Sequence, residues 1–136
     1  MRLPLQLALR LIDAATQKAR SLKVPVYVAV VDQGGHLVAQ QRMDGAILLS
    51  ETLSRDKAYT AATTSMSTDL LGQLAQPGQP FYGLQAHQGG RVVLLGGGYP
   101  LLRNGEVIGA IGVSGGSADE DMAVAMAGRD ALAEAS

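Results

Sequence analysis

Two histidines, a lysine in a helix of small residues, and a run of carboxylates beside paired glycines are the groups in this chain most able to do chemistry. His87 stands in the stretch Phe81-Tyr82-Gly83-Leu84-Gln85-Ala86-His87, just before a run of valines. A neutral imidazole there could ligate haem iron or a divalent metal; the plainer reading is a histidine on a surface loop. His36 follows the turn Asp32-Gln33-Gly34-Gly35 and reads as an exposed hairpin residue. Met43, Met66, Met122 and Met126 could each offer a soft axial ligand, although methionine more commonly fills gaps in a core. With two histidines and no cysteine, disulfides, thiolate metal sites, iron–sulfur clusters and cysteine nucleophiles are excluded, and an all-protein zinc site is disfavoured.

The glycines raise the question of phosphate. Gly96, Gly97 and Gly98 are consecutive, but no lysine follows them at the spacing a Walker loop needs. The stretch from Ser114 through Gly115 and Gly116 to Ala118 suits an anion better, because it passes from a strand to a helix N-terminus with free N–H groups. Asp119, Glu120 and Asp121 crowd that same turn, complement the helix dipole themselves and would repel a phosphate. A capped helix entered by a tight turn is the reading adopted. The loop is left able to line a pocket for a neutral or cationic group.

Lys57 could hold a carboxylate or propionate, or pair with Asp121 of the last helix; Asp121 could equally tie its helix to the loop above it. Asp44 could cap the helix that follows. Arg42 and Arg91 lie at strand ends and could meet an acidic ligand, though no spacing makes them converge. Ser114 with either histidine and an aspartate makes a triad only on paper, since nothing positions the three. Phe81, Tyr82 and Leu84 follow a Pro-Gly loop and could wall a flat apolar ligand or form a subunit contact.

These residues need elements to hold them. Leu5, Ala8, Ile12, Ala15, Ala19 and Leu22 recur at helical spacing and predict a helix over about residues 4–22, ended by Pro25. Val24 to Val31 reads as a strand covered on both faces, with His36 to Arg42 as its hairpin partner. A helix is expected over about Ile47 to Thr63, then a short one capped by Ser67 or Thr68. Arg91 to Leu95 reads as a third strand, and Asn104-Gly105 as a type I′ turn joining two more. Gly109 and Gly112 fall on opposite faces of the last strand, where another element can approach closely. Ser117 and Glu120 have capping-box spacing and open a final helix that runs toward the C-terminus. The order is α-β-β-α-β-β-β-α, in the α+β class, with a five-stranded antiparallel sheet flanked by helices.

The 136 residues suit a single domain over 1–136, and a hydrophobic share of 47% allows a substantial core. A net charge of −1 with mixed signs argues against a nucleic-acid partner. No apolar run is long enough for a membrane span, and no targeting segment is visible, so a cytoplasmic location is expected. Apolar content beyond the needs of one thin sheet points to a homo-oligomer.

The blocks Val30–Ala46, Ser54–Ala62, Phe81–Leu84, Gly89–Leu101 and Val107–Gly128 together resemble the GlcG/HbpS family, which includes the C-terminal domain of the PduO corrinoid adenosyltransferase. The resemblance spans about Leu5 to Leu132 and is most specific in Gly112-Val113-Ser114-Gly115 followed by Asp121. It implies a profilin-like fold, homo-oligomers and, in some members, haem binding. It does not imply adenosyltransferase chemistry, which belongs to a domain this chain lacks. The ligand-binding residues expected are His87, also the metal ligand, with Tyr82, Arg91, Gly97, Gly98, Lys57, Ser114 and Asp121. The leading expectation is a non-catalytic protein binding a small molecule, with haem or a related tetrapyrrole first among cofactors. The alternatives are an oligomeric accessory or scaffold protein beside a diol or glycerol dehydratase or a glycolate-oxidation system, and an enzyme of unknown reaction.

Overall fold

The computed structural model describes residues 3–135. Helix α1 spans Leu5–Leu22, and strands β1 (Tyr27–Asp32) and β2 (Leu37–Arg42) follow as a hairpin. Helices α2 (Ser50–Thr64) and α3 (Thr68–Leu74) come next, then irregular 3-10 turns over Leu84–Gly90. Strands β3 (Gly98–Arg103) and β4 (Glu106–Ser114) form a second hairpin, and helix α4 (Ala118–Asp130) ends in a 3-10 turn over Ala131–Glu134. The strands lie in the order β2-β1-β4-β3, each pair antiparallel. Among the described residues no helix is long and apolar enough to cross a membrane.

The α+β class and the antiparallel hairpins agree with the sequence reading, but the sheet has four strands, not five. Arg91–Leu95, expected as a strand, is extended chain outside the ladder. Its backbone is engaged by helices instead: the Val93 N–H donates to Thr60 Oγ1 at 3.0 Å, and the Leu94 carbonyl fills the space left by the missing side chain of Gly72 in α3. Val92 and Val93 are buried there, which explains their strand-like hydrophobicity.

The two faces of the sheet are packed differently. On one, Val28, Val30, Ile111 and Val113 meet Leu7, Leu11 and Ile12 of α1 and Val124 of α4. On the other, Val31 and Ala110 meet Ala58, Ala61 and Ala62 of α2. This second seam is made of small residues, so α2 comes down onto the sheet. A Cβ on Gly112 would run into the Ser54 carbonyl and the Ala58 amide. That close approach carries Lys57 to the end of β4.

Local signals explain the turns. Asn104 and Gly105 both have positive φ, as a type I′ turn requires. In the β1–β2 hairpin, Asp32 Oδ1 accepts the N–H groups of Gly34 and His36 at 2.9 and 3.0 Å. The capping box of α4 is formed: Ser117 Oγ accepts the Glu120 N–H, and Glu120 Oε1 accepts the Ser117 N–H. Three expectations fail. Asp44 is exposed and caps nothing, because α2 begins only at Ser50 after a turn through Ile47–Leu49. Leu49, inside the helix expected from Ile47, lies before α2 and is exposed. Ser67 and Thr68 make no cap for α3; Thr68 Oγ1 instead accepts the Gly98 N–H at 2.9 Å, fastening β3 to the helix.

Candidate functional site

Helix α2, the end of β4 and the first turn of α4 meet at one buried ion pair. Lys57 Nζ lies 3.1 Å from Asp121 Oδ2 and donates to the Val113 carbonyl at 2.8 Å. Both side chains are almost fully buried, 3% and 5% exposed. Asp121 Oδ1 accepts the Gly116 N–H at 2.8 Å, so the carboxylate also anchors the loop above its own helix. The pairing and the anchoring, set out as alternatives from the sequence, are both present. Gly97 closes the arrangement: a Cβ there would sit 3.0 Å from Lys57 Nζ and 3.2 Å from Asp121 Cβ. Its carbonyl accepts the Val113 N–H at 2.9 Å, and Gly98 continues into β3.

Burial opposes both charges. It lowers the Lys57 ammonium, against the attraction of Asp121, which raises it. It raises the Asp121 carboxyl, against the lowering effects of Lys57 and of the loop amides. The chemical result is a floor with no net charge.

Above this pair lies a cleft of about 270 Å³, with Lys57, Ser114 and Asp121 joined by Ser50, Gly115 and Gly116 and, toward its mouth, Ile47, Leu53 and Leu95. Ser114 Oγ donates to Ser50 Oγ at 3.0 Å. The serine is thus paired with another hydroxyl, and no histidine stands against it in the manner of a triad. The two amides that lead into α4 are spent on carboxylates: Gly116 on Asp121 and Ser117 on Glu120. A phosphate seated there would have to displace both.

Of the residues expected from sequence to bind a ligand, Lys57, Ser114, Asp121, Gly97 and Gly98 converge here, and His87, Tyr82 and Arg91 do not. His87 is exposed on the 3-10 turns, and Tyr82 is exposed nearby. Arg91 is spoken for: its guanidinium lies 3.5 Å over the Tyr59 ring, and its Nε is 3.6 Å from Asp56 Oδ1. Tyr59 links two loops, since its hydroxyl donates to Gln88 Oε1 at 2.8 Å while its ring edge abuts Gly35. The segments carrying His36 and His87 therefore flank the same tyrosine. Met43, Met122 and Met126 pack against the core as gap fillers, and Met66 is half-buried. Sequence reasoning missed Ser50, Leu53 and Leu95. Nothing in their local pattern marks them; only the packing of α2 on β4 brings them to the cleft.

A surface groove of about 630 Å³ lies elsewhere and is lined by Leu3, Leu5, Asp32, Gln33, Gly34, His36 and Val38. The His36 imidazole is 83% exposed there, with Nδ1 3.4 Å from Asp32 Oδ1. Among the described residues, no group of three or more His, Asp or Glu side chains is clustered to hold a metal ion.

Comparison with known proteins agrees with this architecture. Residues 3–130 match the family model described as haem degrading protein HbpS-like. An uncharacterized 15.0 kDa protein from the dhaT–dhaS intergenic region of Citrobacter freundii is 42% identical over 127 residues, covering 93% of this chain and 89% of that protein. The corrinoid adenosyltransferase PduO of Salmonella typhimurium is 44% identical over 116 residues, but these amount to 85% of this chain and only 34% of PduO. The solved PduOC–haem complex superimposes with a TM-score of 0.90 at 41% identity, over 93% of this chain and 91% of that one. With four strands ordered as described and a match over nearly all its length, this chain belongs to the HbpS-like family, the one that GlcG and the PduO C-terminal domain share.

Proposed function

We propose that this chain binds haem or a closely related tetrapyrrole through a histidine at its surface, as a binding protein and not as a catalyst. The family and the haem complex of a 41% identical relative support the ligand class. The observation that carries the reading in this chain is the His36 imidazole, exposed over an apolar groove with a carboxylate at its Nδ1. A ring whose Nδ1–H faces a carboxylate is held in one orientation and keeps Nε2 free for iron. Leu3, Leu5 and Val38 would lie against the flat macrocycle, and iron would supply the coordination site that the imidazole takes. His87 is the second candidate, favoured by the exposed Phe81 and Tyr82 on the same segment. Arg91 could meet a propionate only by leaving Asp56.

Absorbance titration with hemin tests the assignment. The native chain is expected to give a saturable, shifted Soret band that weakens at least tenfold in affinity in His36→Ala and persists in His87→Ala. Loss in His87→Ala alone would move the site to the 3-10 turns. Titrations unchanged in both variants would remove the imidazole ligand altogether.

Self-association belongs to the same reading. Ile47, Leu48 and Leu49 are 59%, 77% and 66% exposed in one continuous turn, a ridge that a second copy would cover. An accessory role in a larger assembly would use the same ridge, and the cytoplasmic setting expected from the sequence belongs to the same proposal.

A further inference from the structure

The cleft over Lys57 and Asp121 is not part of the haem reading. It is lined by different residues from the His36 groove, and at about 270 Å³ it is at the small end of ligand pockets. A four-ring macrocycle does not fit, so whatever occupies it is smaller.

Its chemistry narrows the occupant. The floor carries one cation and one anion in contact, both nearly fully buried, so neither sign of charge is in excess. An anionic guest would find the amides of Gly116 and Ser117 already bonded to Asp121 and Glu120. A cationic guest would find Asp121 already held by Lys57 and Gly116. A charged guest would therefore give up its water without gaining a free counter-charge.

What is unspent is a hydroxyl. Ser50 and Ser114 are 1% and 4% exposed, and together they have two O–H protons. One is used between them, Ser114 to Ser50. The remaining proton has no acceptor among the described residues, and both serines line the cleft. A buried, unused donor beside a cavity calls for an acceptor atom from outside. Leu53 and Leu95 supply an apolar mouth for the rest of the molecule.

We propose that this cleft binds a small neutral molecule with an apolar body and one acceptor oxygen, a carbonyl compound or an alcohol, held by the Ser50–Ser114 hydroxyl pair over the neutralised Lys57–Asp121 floor. The oxygen accepts from the free serine proton and the apolar part lies against Leu53 and Leu95.

The test uses haem-free protein and four probes sharing one ring: cyclohexanone, cyclohexanol, cyclohexanecarboxylate and cyclohexylammonium. Amide chemical shifts are followed by NMR up to about 10 mM probe, where a ligand of millimolar affinity is mostly bound. The ketone and alcohol are expected to shift Gly96, Gly115 and Gly116 saturably, and the charged probes at least tenfold more weakly. The double variant Ser50→Ala/Ser114→Ala removes both partners without leaving an orphan and is expected to weaken the ketone about fivefold to tenfold. Leu95→Glu, at an exposed position, places a charge at the mouth and is expected to abolish the shifts. No shift with any neutral probe, equal binding of the charged ones, or unchanged affinity in the double variant would each overturn the proposal. No porphyrin is present, so failure here leaves the haem reading untouched, and failure of the hemin titration leaves this one untouched.

Discussion

Replacing Asp121 with alanine tests whether the buried ion pair holds three elements together. Asp121 bonds Lys57 of α2 and the Gly116 amide that follows β4, from its own place in α4. Its removal leaves an ammonium without a counter-charge and an amide without an acceptor. Removing one member of a buried pair costs about 3–5 kcal/mol, against about 5–15 kcal/mol for the whole stability of an average domain. With a urea slope near 2 kcal/mol/M, the unfolding midpoint should fall by about 2 M. The assay is urea unfolding at neutral pH followed by circular dichroism. Asp121→Asn keeps an oxygen for Gly116 and should lose less. Replacing both charges together, as Lys57→Met with Asp121→Leu, should be far milder than either single loss, because no buried charge is stranded. A loss below about 1 kcal/mol in Asp121→Ala, the value of a solvent-exposed pair, would refute the reasoning.

Other outcomes follow from the same geometry. Burial raises the Asp121 carboxyl, so the folded chain holds that proton more tightly than the unfolded one; its contribution is full below the unfolded value and is lost as pH rises through the folded one. The stability of the native chain minus that of Asp121→Asn should therefore decline as pH rises above the ordinary carboxylate range, and a rise over that interval in paired urea titrations would contradict it. Gly112→Ala pushes a methyl into the backbone of α2 and should cost about 1–3 kcal/mol in the same assay; a neutral result would mean the helix does not sit this close. Leu48→Glu should shift sedimentation equilibrium toward the monomer without lowering thermal stability, and an unchanged mass would place any self-association elsewhere.

Sequence pattern reached most of the fold through local rules. Helix α1 follows from apolar spacing, the β3–β4 hairpin from Asn104-Gly105, and the start of α4 from Ser117 and Glu120, because each rule acts within a few residues. It failed at Arg91–Leu95, where the valines are buried by α2 and α3 and not by strand neighbours. Burial was legible there and its source was not. The site divided the same way. Lys57 and Asp121 could be paired on paper because both stand in the blocks that carry the family resemblance and have opposite charge. Ser50, Leu53 and Leu95 enter the cleft only through the small-residue seam between α2 and the sheet, which has no signature in any one segment. His36 read as an ordinary hairpin residue; the groove beside it depends on Leu3 and Leu5, distant in sequence.

The most direct measurement is an amide chemical-shift map of the chain with gallium protoporphyrin, a diamagnetic stand-in for haem. Shifts concentrated at Gly34, Gly35 and His36, with Gly115 and Gly116 unmoved, are the predicted result. Shifts centred on Gly83 to Gly90, or none at saturating porphyrin, would contradict it.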